Sequence, residues 1–362
     1  MDDLRTTPLI EEHRRLNARL VPFAGYLLPV QYDSVIAESK AVREGAGMFD
    51  VSHMGRLWLR GPRVVEFLEH VTTNDVSKLT DGTGQYSLLP NEQGGAVDDI
   101  IIYRIDGETF RMVVNAANHE KDVAWLDRHN TFGVAIDDET DATAMIAVQG
   151  PRAVEVVAGL TDMGEALRTA PLFGVTNATI AGVDCFAPRS GYTGEDGFEL
   201  ICAASDAPKL WQALLEAGVK PCGLGARDVL RVEAGLPLYG HELTDEHSPL
   251  EAGLGWVVSK VKSFVGHEHY RRVREEGGKR KLVGIQLDSK RLMNPGMSVY
   301  FDQVAGGEVV SGVFSPMLDC GIGTAWVDPS VKVGDRLEVD IRGKREPGTV
   351  ANKRFFKREK PS

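Results

Sequence analysis

Two adjacent carboxylates open the first segment of the sequence that could do chemistry. Asp98 and Asp99 follow a glycine pair and lead into the apolar residues 100–103. Alternate side chains of a β-strand point to opposite faces, so Asp99 would share a face with Ile101 and Tyr103, away from Asp98. A carboxyl group among apolar side chains has a raised pKa unless it has a partner, which suits it to acid–base catalysis or to stabilising a cation. The alternative is an aspartate that only accepts hydrogen bonds in a glycine-rich turn.

The dipeptide Asp106-Gly107 predicts a hairpin that folds a second strand, ending at Asn115, back onto the Asp99 strand. The length of the loop decides which residues face one another. A two-residue loop would set Asn115 opposite Asp98, and a three-residue loop would set it on the face of Asp99. Asn115 could then hold a polar ligand edge beside the acid. Capping the helix that follows is the other role open to it.

A second candidate segment spans residues 189–200, where three glycines surround Tyr192 and precede Glu199. Glycines let a backbone turn sharply or pass close to a ligand. Glu199 lies between Phe198 and Leu200, so in a strand its carboxylate points away from both. A carboxylate held on a strand can bind a two-nitrogen edge such as that of a pterin or a guanidine. The alternative is a hairpin turn with a solvated glutamate, and a phosphate loop is excluded because the required lysine and spacing are missing.

A third candidate is Arg227, in the first turn of a helix predicted within residues 223–235. A cation at that end is unfavourable to the helix dipole, so its side chain is expected to have another task, such as a carboxylate or ligand contact. Arg231 lies one turn further on and can pair with Asp228. A structural ion pair is the alternative for Arg227.

The elements that must position these residues follow from periodicity and turn signals. After about residue 275 the sequence consists of short β-rich runs separated by glycine-containing turns, which predicts a small β-barrel or sandwich. The charged residues 271–281 are expected to be the linker before it. Helices are predicted at residues 9–20, 34–46, 118–129, 207–217 and 226–234, and strands at 48–60, 86–115, 143–148, 282–287, 309–314, 324–327 and 336–341.

Composition limits the classes of function. The chain has 362 residues, of which 43% are hydrophobic, and a formal net charge of −11. That length accommodates two or three domains, and the acidic balance argues against binding to nucleic acid or to an anionic membrane. The basic tail, which includes Lys353 and Arg354, is the exception, and it is either a solvated terminus or a docking patch for an acidic partner.

The four cysteines form no CxxC pair and have no histidine at zinc spacing, so we expect reduced thiols and no metal site. The amino terminus is polar and no apolar run approaches the length of a membrane span. These features predict a cytoplasmic protein.

Five blocks of the sequence, taken in order, resemble the T protein family of the glycine cleavage system. They are residues 47–55, 94–103, 191–200, 223–235 and 249–256, and the likeness runs from about residue 7 to the end of the chain. The resemblance implies an α+β fold: a three-domain cloverleaf with two interlaced folate-binding domains in residues 1–275 and a C-terminal β-barrel in residues 276–362.

In that family, an aminomethyl group on the lipoyl arm of the carrier H protein gives its methylene carbon to tetrahydrofolate. Ammonia is released and 5,10-methylenetetrahydrofolate forms. The resemblance therefore implies an aminomethyltransferase with tetrahydrofolate as co-substrate and the lipoylated H protein as partner. Two rivals share the fold: a folate-dependent demethylase of a small methylated compound, and a folate-binding protein without catalysis. Rivals of the second kind carry a cysteine in the block that corresponds to residues 189–195, and this sequence has none there.

The resemblance also assigns roles to single positions. Asp99 corresponds to the catalytic aspartate, Glu199 to the carboxylate that contacts the pterin, and Arg227 to the arginine beside it. The remaining pocket positions are Tyr86, Tyr103, Asn115, Tyr192, Met54 and Trp256.

This sequence departs from the family pattern at the end that holds the glutamate tail of the folate. Asn294 stands where family members often carry an arginine, so Arg291 or another cation would have to substitute. Phe355-Phe356 replaces a segment that often contains a tyrosine.

Overall fold

The structure is a computed structural model that describes residues 4–358. Within these residues the α-helices are α1 (Ile10–Arg15), α2 (Val35–Glu44), α3 (Val64–Val71), α4 (His119–His129), α5 (Ala153–Ala158), α6 (Gly164–Thr169), α7 (Ala207–Glu216), α8 (Leu224–Ala234) and α9 (His267–Glu276). Short 3-10 helices occupy Val76–Lys78, Ala204–Asp206 and Gly255–Val257.

The strands of the amino-terminal region are β1 (Arg19–Phe23), β2 (Tyr26–Gln31), β3 (Gly47–Asp50), β4 (Gly55–Arg60), β5 (Thr83–Pro90), β6 (Ala96–Arg104), β7 (Thr109–Val114), β8 (Ala135–Asp138), β9 (Thr143–Gln149), β10 (Val175–Ile180), β11 (Val183–Pro188), β12 (Gly197–Ala203) and β13 (Lys220–Pro221). Those of the carboxy-terminal region are β14 (Lys281–Leu287), β15 (Ser298–Phe301), β16 (Val304–Ser315), β17 (Cys320–Val327), β18 (Arg336–Ile341) and β19 (Lys344–Ala351).

Three sheets organise the molecule, together with the small ribbon β1-β2. The first sheet has the order β10-β11-β12-β9-β3-β13, the second has the order β5-β6-β7-β4-β8, and β14-β17-β16-β15-β18-β19 close into a barrel. Because β3 belongs to the first sheet, β4–β8 to the second and β9–β13 to the first again, the two open sheets are interlaced along the chain. The expected α+β fold with a C-terminal β-barrel is confirmed.

Each sheet has an apolar core of its own, and a further core joins the two open sheets. The joining core contains Phe49 of β3, Tyr103 of β6, Phe186 of β11 and Leu230 of α8. Burial of these large side chains is the main favourable contribution to holding the sheets together, at roughly 1.5–3 kcal/mol for each fully buried side chain. The arrangement fixes β6, β12 and α8, which carry the three candidate residues, against one another.

Close backbone contact explains where α8 begins. A Cβ atom on Gly223 would lie 2.3 Å from the carbonyl carbon of Val30, so a larger residue there would push the helix away from β2. The helix ends at Gly235, which has the left-handed φ of 72° that favours glycine. The start of α8 is therefore fixed against the β1-β2 ribbon.

The prediction that residues 271–281 form a linker is wrong for the first half of that segment. Residues 271–276 belong to α9, where Arg271 pairs with Glu268 at 2.7 Å and with Glu275 at 3.2 Å. Charges spaced three or four residues apart support a helix on its exposed face. Tyr270 anchors the buried face and donates a hydrogen bond to the carbonyl oxygen of Gly95 at 2.8 Å, next to the candidate carboxylates.

The other predicted helices are confirmed, with one difference at the amino terminus. The helix expected over residues 9–20 ends at Arg15, and β1 begins at Arg19. Asn17 between them has a φ of 54°, a left-handed conformation that a helix cannot continue through.

Candidate functional site

A cavity of about 1120 Å³ lies where the two open sheets, α8 and the segment after β19 meet. This volume lies slightly above the range for small-molecule sites, which is ~300–1,000 Å³. Its wall is mostly apolar and includes eight of the nine residues assigned above to the pocket: Met54, Tyr86, Asp99, Asn115, Tyr192, Glu199, Arg227 and Trp256.

The hairpin between β6 and β7 sets Asn115 beside Asp99. Ile101 pairs with Val113 and the Ile105 N–H bonds the Thr109 carbonyl at 2.9 Å, which leaves a three-residue loop at 106–108. Asn115 then faces Asp99, and its Nδ2 donates to Asp99 Oδ1 at 2.8 Å. The geometry of the longer loop is therefore the one observed, although Asn115 Nδ2 also lies 2.9 Å from Asp98 Oδ1.

Asp99 has an electrostatic environment that favours its neutral form. Its second oxygen, Oδ2, accepts a hydrogen bond from the Tyr86 hydroxyl at 2.9 Å. Burial and then the charge of Asp98 raise the pKa of the Asp99 carboxyl to about 7, against the lowering effect of the Tyr86 and Asn115 hydrogen bonds. A group with such a pKa can exchange a proton near neutral pH.

Asp98 turns away from the cavity and is 0% exposed. Its oxygens accept hydrogen bonds from the backbone N–H of Asn115 at 2.9 Å and from Asn118 Nδ2 at 2.6 Å. Its strand neighbours Ile100 and Ile102 belong to the core of the second sheet. The alternation that distinguishes the two aspartates on the basis of sequence is thus present in the structure.

Glu199 lies on β12 in the first sheet, with its carboxylate buried at the cavity wall. The Ser190 hydroxyl donates to Glu199 Oε2 at 2.5 Å. Burial raises the pKa of the Glu199 carboxyl, while the Ser190 hydrogen bond and the charge of Arg227 oppose that rise. A buried carboxylate held by one hydroxyl keeps acceptor capacity for a ligand.

Tyr103 is not on the cavity wall, in contrast to the position that the resemblance implies. It is fully buried and packs edge-on against Phe186 with 5.6 Å between ring centroids. Its hydroxyl donates to Ser190 Oγ at 3.1 Å, and Ser190 in turn donates to Glu199. Strand parity places Tyr103 on the correct face, but β11 of the first sheet covers it there.

Arg227 extends from α8 towards the cavity without a carboxylate partner within 4.0 Å among residues 4–358. Its guanidinium stacks on the Tyr192 ring at 4.6 Å, and Nη2 lies 3.9 Å from the Met54 sulfur. Its buried Nη1 atom has no hydrogen-bond partner in the described part of the chain. An unpartnered buried donor is costly, and this N–H is free to donate to a ligand oxygen or nitrogen.

Trp256 marks an edge of the cavity that is open to solvent. Its side chain is 70% exposed and stacks on Tyr86, with 5.9 Å between ring centroids. Because Tyr86 also holds Asp99, this aromatic pair links the opening to the carboxylate.

Sequence reasoning missed several residues near the site. His53 lines the cavity, and burial lowers the pKa of its imidazole to about 4, so it is neutral. Ser190 supports Glu199, and its place within the glycine-rich segment was the available signal. Tyr239 also lines the wall, but no pattern in the sequence marks it.

The basic tail differs from a simple exposed patch. Lys353 and Arg354 both line the cavity, and the Lys353 ammonium donates to the carbonyl oxygen of Ala252. Burial lowers the pKa of the Lys353 ammonium. Arg291, named above as a substitute for the missing arginine, instead lies 3.3 Å from a Glu346 oxygen.

Residues 4–358 contain neither a cluster of metal ligands nor a membrane-spanning helix. In this range, no group of three or more His, Cys, Asp or Glu side chains is arranged to hold a metal ion. Over the same residues, no helix has both the length and the apolar character that crossing a membrane requires.

Comparison with known proteins gives consistent matches over the chain. The GCVT N-terminal domain family matches residues 9–262, and the glycine cleavage T-protein C-terminal barrel domain family matches residues 280–357. An aminomethyltransferase of Symbiobacterium thermophilum is 44% identical over 98% of each chain. One of Geobacillus kaustophilus is 46% identical over 99% of this chain and all of its own.

A solved structure agrees with these sequence matches. The crystal structure of glycine cleavage system aminomethyltransferase T from Bartonella henselae has a TM-score of 0.91 and 32% sequence identity to this chain, covering 98% of both. Fold, sequence and length therefore agree, and the chain belongs to the glycine cleavage T-protein family of aminomethyltransferases.

Proposed function

We propose that this chain transfers the methylene carbon of an aminomethyl-lipoyl group, carried by the H protein, to tetrahydrofolate. Ammonia and 5,10-methylenetetrahydrofolate are the products. The observation that carries the proposal is one cavity that holds a carboxyl group with a pKa of about 7, Asp99, and, apart from it, the Glu199 carboxylate and the Arg227 guanidinium, which are not in direct contact. The first suits proton handling and the second suits ligand binding.

The residues of the second group fit the polar edge of a pterin. That edge presents neighbouring N–H donors and a carbonyl oxygen. The Glu199 carboxylate can accept from the donors, and Arg227 Nη1, which has no partner within residues 4–358, can donate to an acceptor. The rings of Tyr192 and Tyr86 supply apolar surface in the same wall.

Asp99 would accept a proton and stabilise positive charge during the reaction. Tetrahydrofolate supplies the nucleophilic amine that takes up the one-carbon unit when it is bound. In its charged form, Asp99 orients an N–H group, accepts its proton and stabilises positive charge on the carbon being transferred. Tyr86 and Asn115 hold both oxygens of Asp99 in place, so little reorganisation is needed.

The carrier would deliver its lipoyl arm through the opening beside Trp256. The exposed indole and its stacking on Tyr86 give an apolar surface next to Asp99 that suits an alkyl arm. Holding two large reactants together in one cavity would supply much of the rate enhancement.

Two further statements stay predictions. One is the boundary between the folate-binding region, residues 1–275, and the C-terminal barrel, residues 276–362. The other is the cytoplasmic location.

The test is ammonia release from aminomethylated, lipoylated carrier protein, measured with and without tetrahydrofolate. We expect release that depends on tetrahydrofolate. Folate binding without release would indicate the non-catalytic protein, and formation of a demethylated product from a small methylated amine or thioether would indicate the demethylase. Either result contradicts the proposal.

The position of the tail changes how carrier docking should be tested. If the basic tail is a docking patch, reversing Lys353 and Arg354 to Glu should weaken carrier binding, but both residues also line the cavity. Folate affinity must therefore be measured in the same variant. Lys357→Glu is the matched control: it reverses a charge of the tail at an exposed position that is not part of the cavity wall. Loss of folate binding in the double variant with unchanged carrier affinity would remove the docking role.

A further inference from the structure

A further buried carboxyl group lies behind the two aspartates of β6. Asp122 belongs to α4, is 0% exposed and does not contribute to the cavity wall. Its side chain faces that of Asp98 within hydrogen-bonding reach, although neither group can donate a hydrogen bond while both are ionised. No motif in the sequence singles out Asp122, and the mechanism above does not use it.

The hydrogen bonds around these two carboxyl groups locate a proton. Asp98 already accepts from the Asn115 backbone N–H, Asn115 Nδ2 and Asn118 Nδ2, at 2.9, 2.9 and 2.6 Å. Both oxygens of Asp122, in contrast, lack any donor among residues 4–358. Two carboxylates in hydrogen-bonding contact require a proton between them. Three N–H donors favour the charged form of Asp98, so the proton belongs to Asp122.

The neighbouring charges agree with this assignment. The groups that face Asp122 are Asp98 and Asp99 from β6, Lys121 from its own helix and Tyr239 from the segment after α8. Lys121 is committed elsewhere, with Nζ 2.6 Å from the Tyr239 hydroxyl and 3.0 Å from Asp245. Burial and the charge of Asp98 both raise the pKa of the Asp122 carboxyl.

Asp99 is the group whose titration would be observed, and several titratable or polar groups also face it. The groups that face it are Asp98 on its own strand, Asp122 from α4, Tyr86 from β5, Asn115 after β7 and Tyr192 after β11. Of these, Asp98 carries the negative charge that opposes ionisation of Asp99. Whatever keeps Asp98 ionised therefore sets the proton affinity of Asp99.

We propose that Asp122 is a neutral acid that donates its proton as a hydrogen bond to Asp98, and thereby acts as a positioning residue for Asp99. The chain of contacts runs from Asp122 to Asp98, through Asn115, to Asp99. The donated bond keeps Asp98 ionised and fixes the Asn115 amide. This inference rests on the proposed function for its link to catalysis, but the protonation state of Asp122 can be measured without it.

Infrared difference spectroscopy tests the protonation state directly. The spectrum of wild type minus Asp122→Asn at pH 9, where most other carboxyl groups are ionised, is expected to show the C=O stretch of a protonated carboxylic acid. Asp122→Asn keeps a side-chain N–H donor towards Asp98 and nearly the same volume, so it is expected to fold. A difference spectrum with only carboxylate bands would overturn the proposal, whatever the activity of the enzyme.

The pH profile of turnover tests the positioning role. Burial raises the pKa of the Asp98 carboxyl, and the hydrogen bond from Asp122 is the largest of those that oppose this rise. Asp122→Leu removes that bond, so Asp98 is expected to take up a proton and lose its charge. The acidic limb of kcat should then move to lower pH by about one unit or more, and kcat at pH 8 should fall about tenfold. Asp122→Asn should restore the midpoint of the wild type.

Controls separate positioning from a structural role. Asp127→Leu replaces an exposed acid on the same helix and should leave the profile unchanged. A merely structural Asp122 would lower the amount of folded protein and the melting temperature, but the midpoint of the acidic limb would stay where it is. That result, or Asp122→Asn behaving like Asp122→Leu, would sink the positioning role.

Discussion

Asp99 and Glu199 are two carboxylates in one cavity, and the groups beside them differ in charge. Asp99, on the second sheet, has Asp98 as its neighbour, so burial and a like charge raise the pKa of its carboxyl to about 7. Glu199, on the first sheet, has Arg227 as its neighbour, and that charge opposes the effect of burial. A like charge favours a group that exchanges protons, and an opposite charge favours a group that stays ionised and binds.

Asp99→Asn should remove the proton-exchanging group and have the largest effect on catalysis. The amide keeps the shape: its oxygen can accept from Asn115 Nδ2 and its nitrogen can donate to the Tyr86 oxygen, but it cannot take up a proton. We expect kcat to fall by about 10²–10⁴-fold, and KM for tetrahydrofolate to stay within roughly threefold. Steady-state kinetics checks this, and a raised KM with unchanged kcat would reverse the assignment of the two carboxylates.

Glu199→Gln should weaken the binding of tetrahydrofolate. Replacing the carboxylate by an amide removes a charge-assisted hydrogen bond to the ligand and turns one donor towards the ligand's donors. We expect the Kd for tetrahydrofolate to rise by about 10–100-fold, and kcat at saturation to change by less than roughly fivefold. Fluorescence quenching on folate binding gives the Kd, and Asp99→Asn serves as the reciprocal control.

The pH dependence of activity should follow Asp99 and not Glu199. Because charged Asp99 is the active form, kcat/KM is expected to fall as pH drops below about 7. The limb should disappear in Asp99→Asn and persist in Glu199→Gln, where the residual activity is enough to follow. A limb that survives in Asp99→Asn would assign the titration to another group.

The same pKa shift predicts an effect on stability with a definite sign. The Asp99 carboxyl binds its proton more tightly in the folded state, at about 7, than at the ordinary value of 3.8. The free energy of unfolding therefore falls as pH rises through that interval, and the loss is complete above about pH 7. Asp99→Asn should thus melt at a higher temperature than the wild type at pH 8 and at the same temperature near pH 4. Calorimetry at the two pH values checks the difference.

The sequence could predict which side chains belong together wherever local geometry decides the matter. Strand alternation separated Asp98 from Asp99, and the glycine-rich segment marked Glu199. The hairpin left two positions open for Asn115, because loop length depends on backbone hydrogen bonds that the dipeptide alone does not specify. The observed three-residue loop settles this in favour of the Asp99 face.

What the sequence could not predict depends on contacts between distant segments. Tyr103 has the right face but is covered by Phe186, which belongs to the other open sheet. Lys353 belongs to a basic tail, but its side chain bends to the Ala252 carbonyl and reaches the cavity wall. Neither contact leaves a periodic signal, since each joins residues far apart in the chain.

Tyr103→Phe should weaken tetrahydrofolate binding slightly, which is the smallest of the expected effects. The Tyr103 hydroxyl reaches Glu199 only through Ser190, so its loss removes one hydrogen bond from the support of the binding carboxylate. We expect the Kd for tetrahydrofolate to rise about threefold to fivefold, with kcat and its pH midpoint unchanged. Tyr32→Phe removes a hydroxyl that bonds His13 outside the cavity and is the matched control. If Tyr103→Phe instead moved the acidic limb, the two carboxylates would be coupled, and the division into a binding group and a proton-exchanging group would have to be replaced by a single titrating unit.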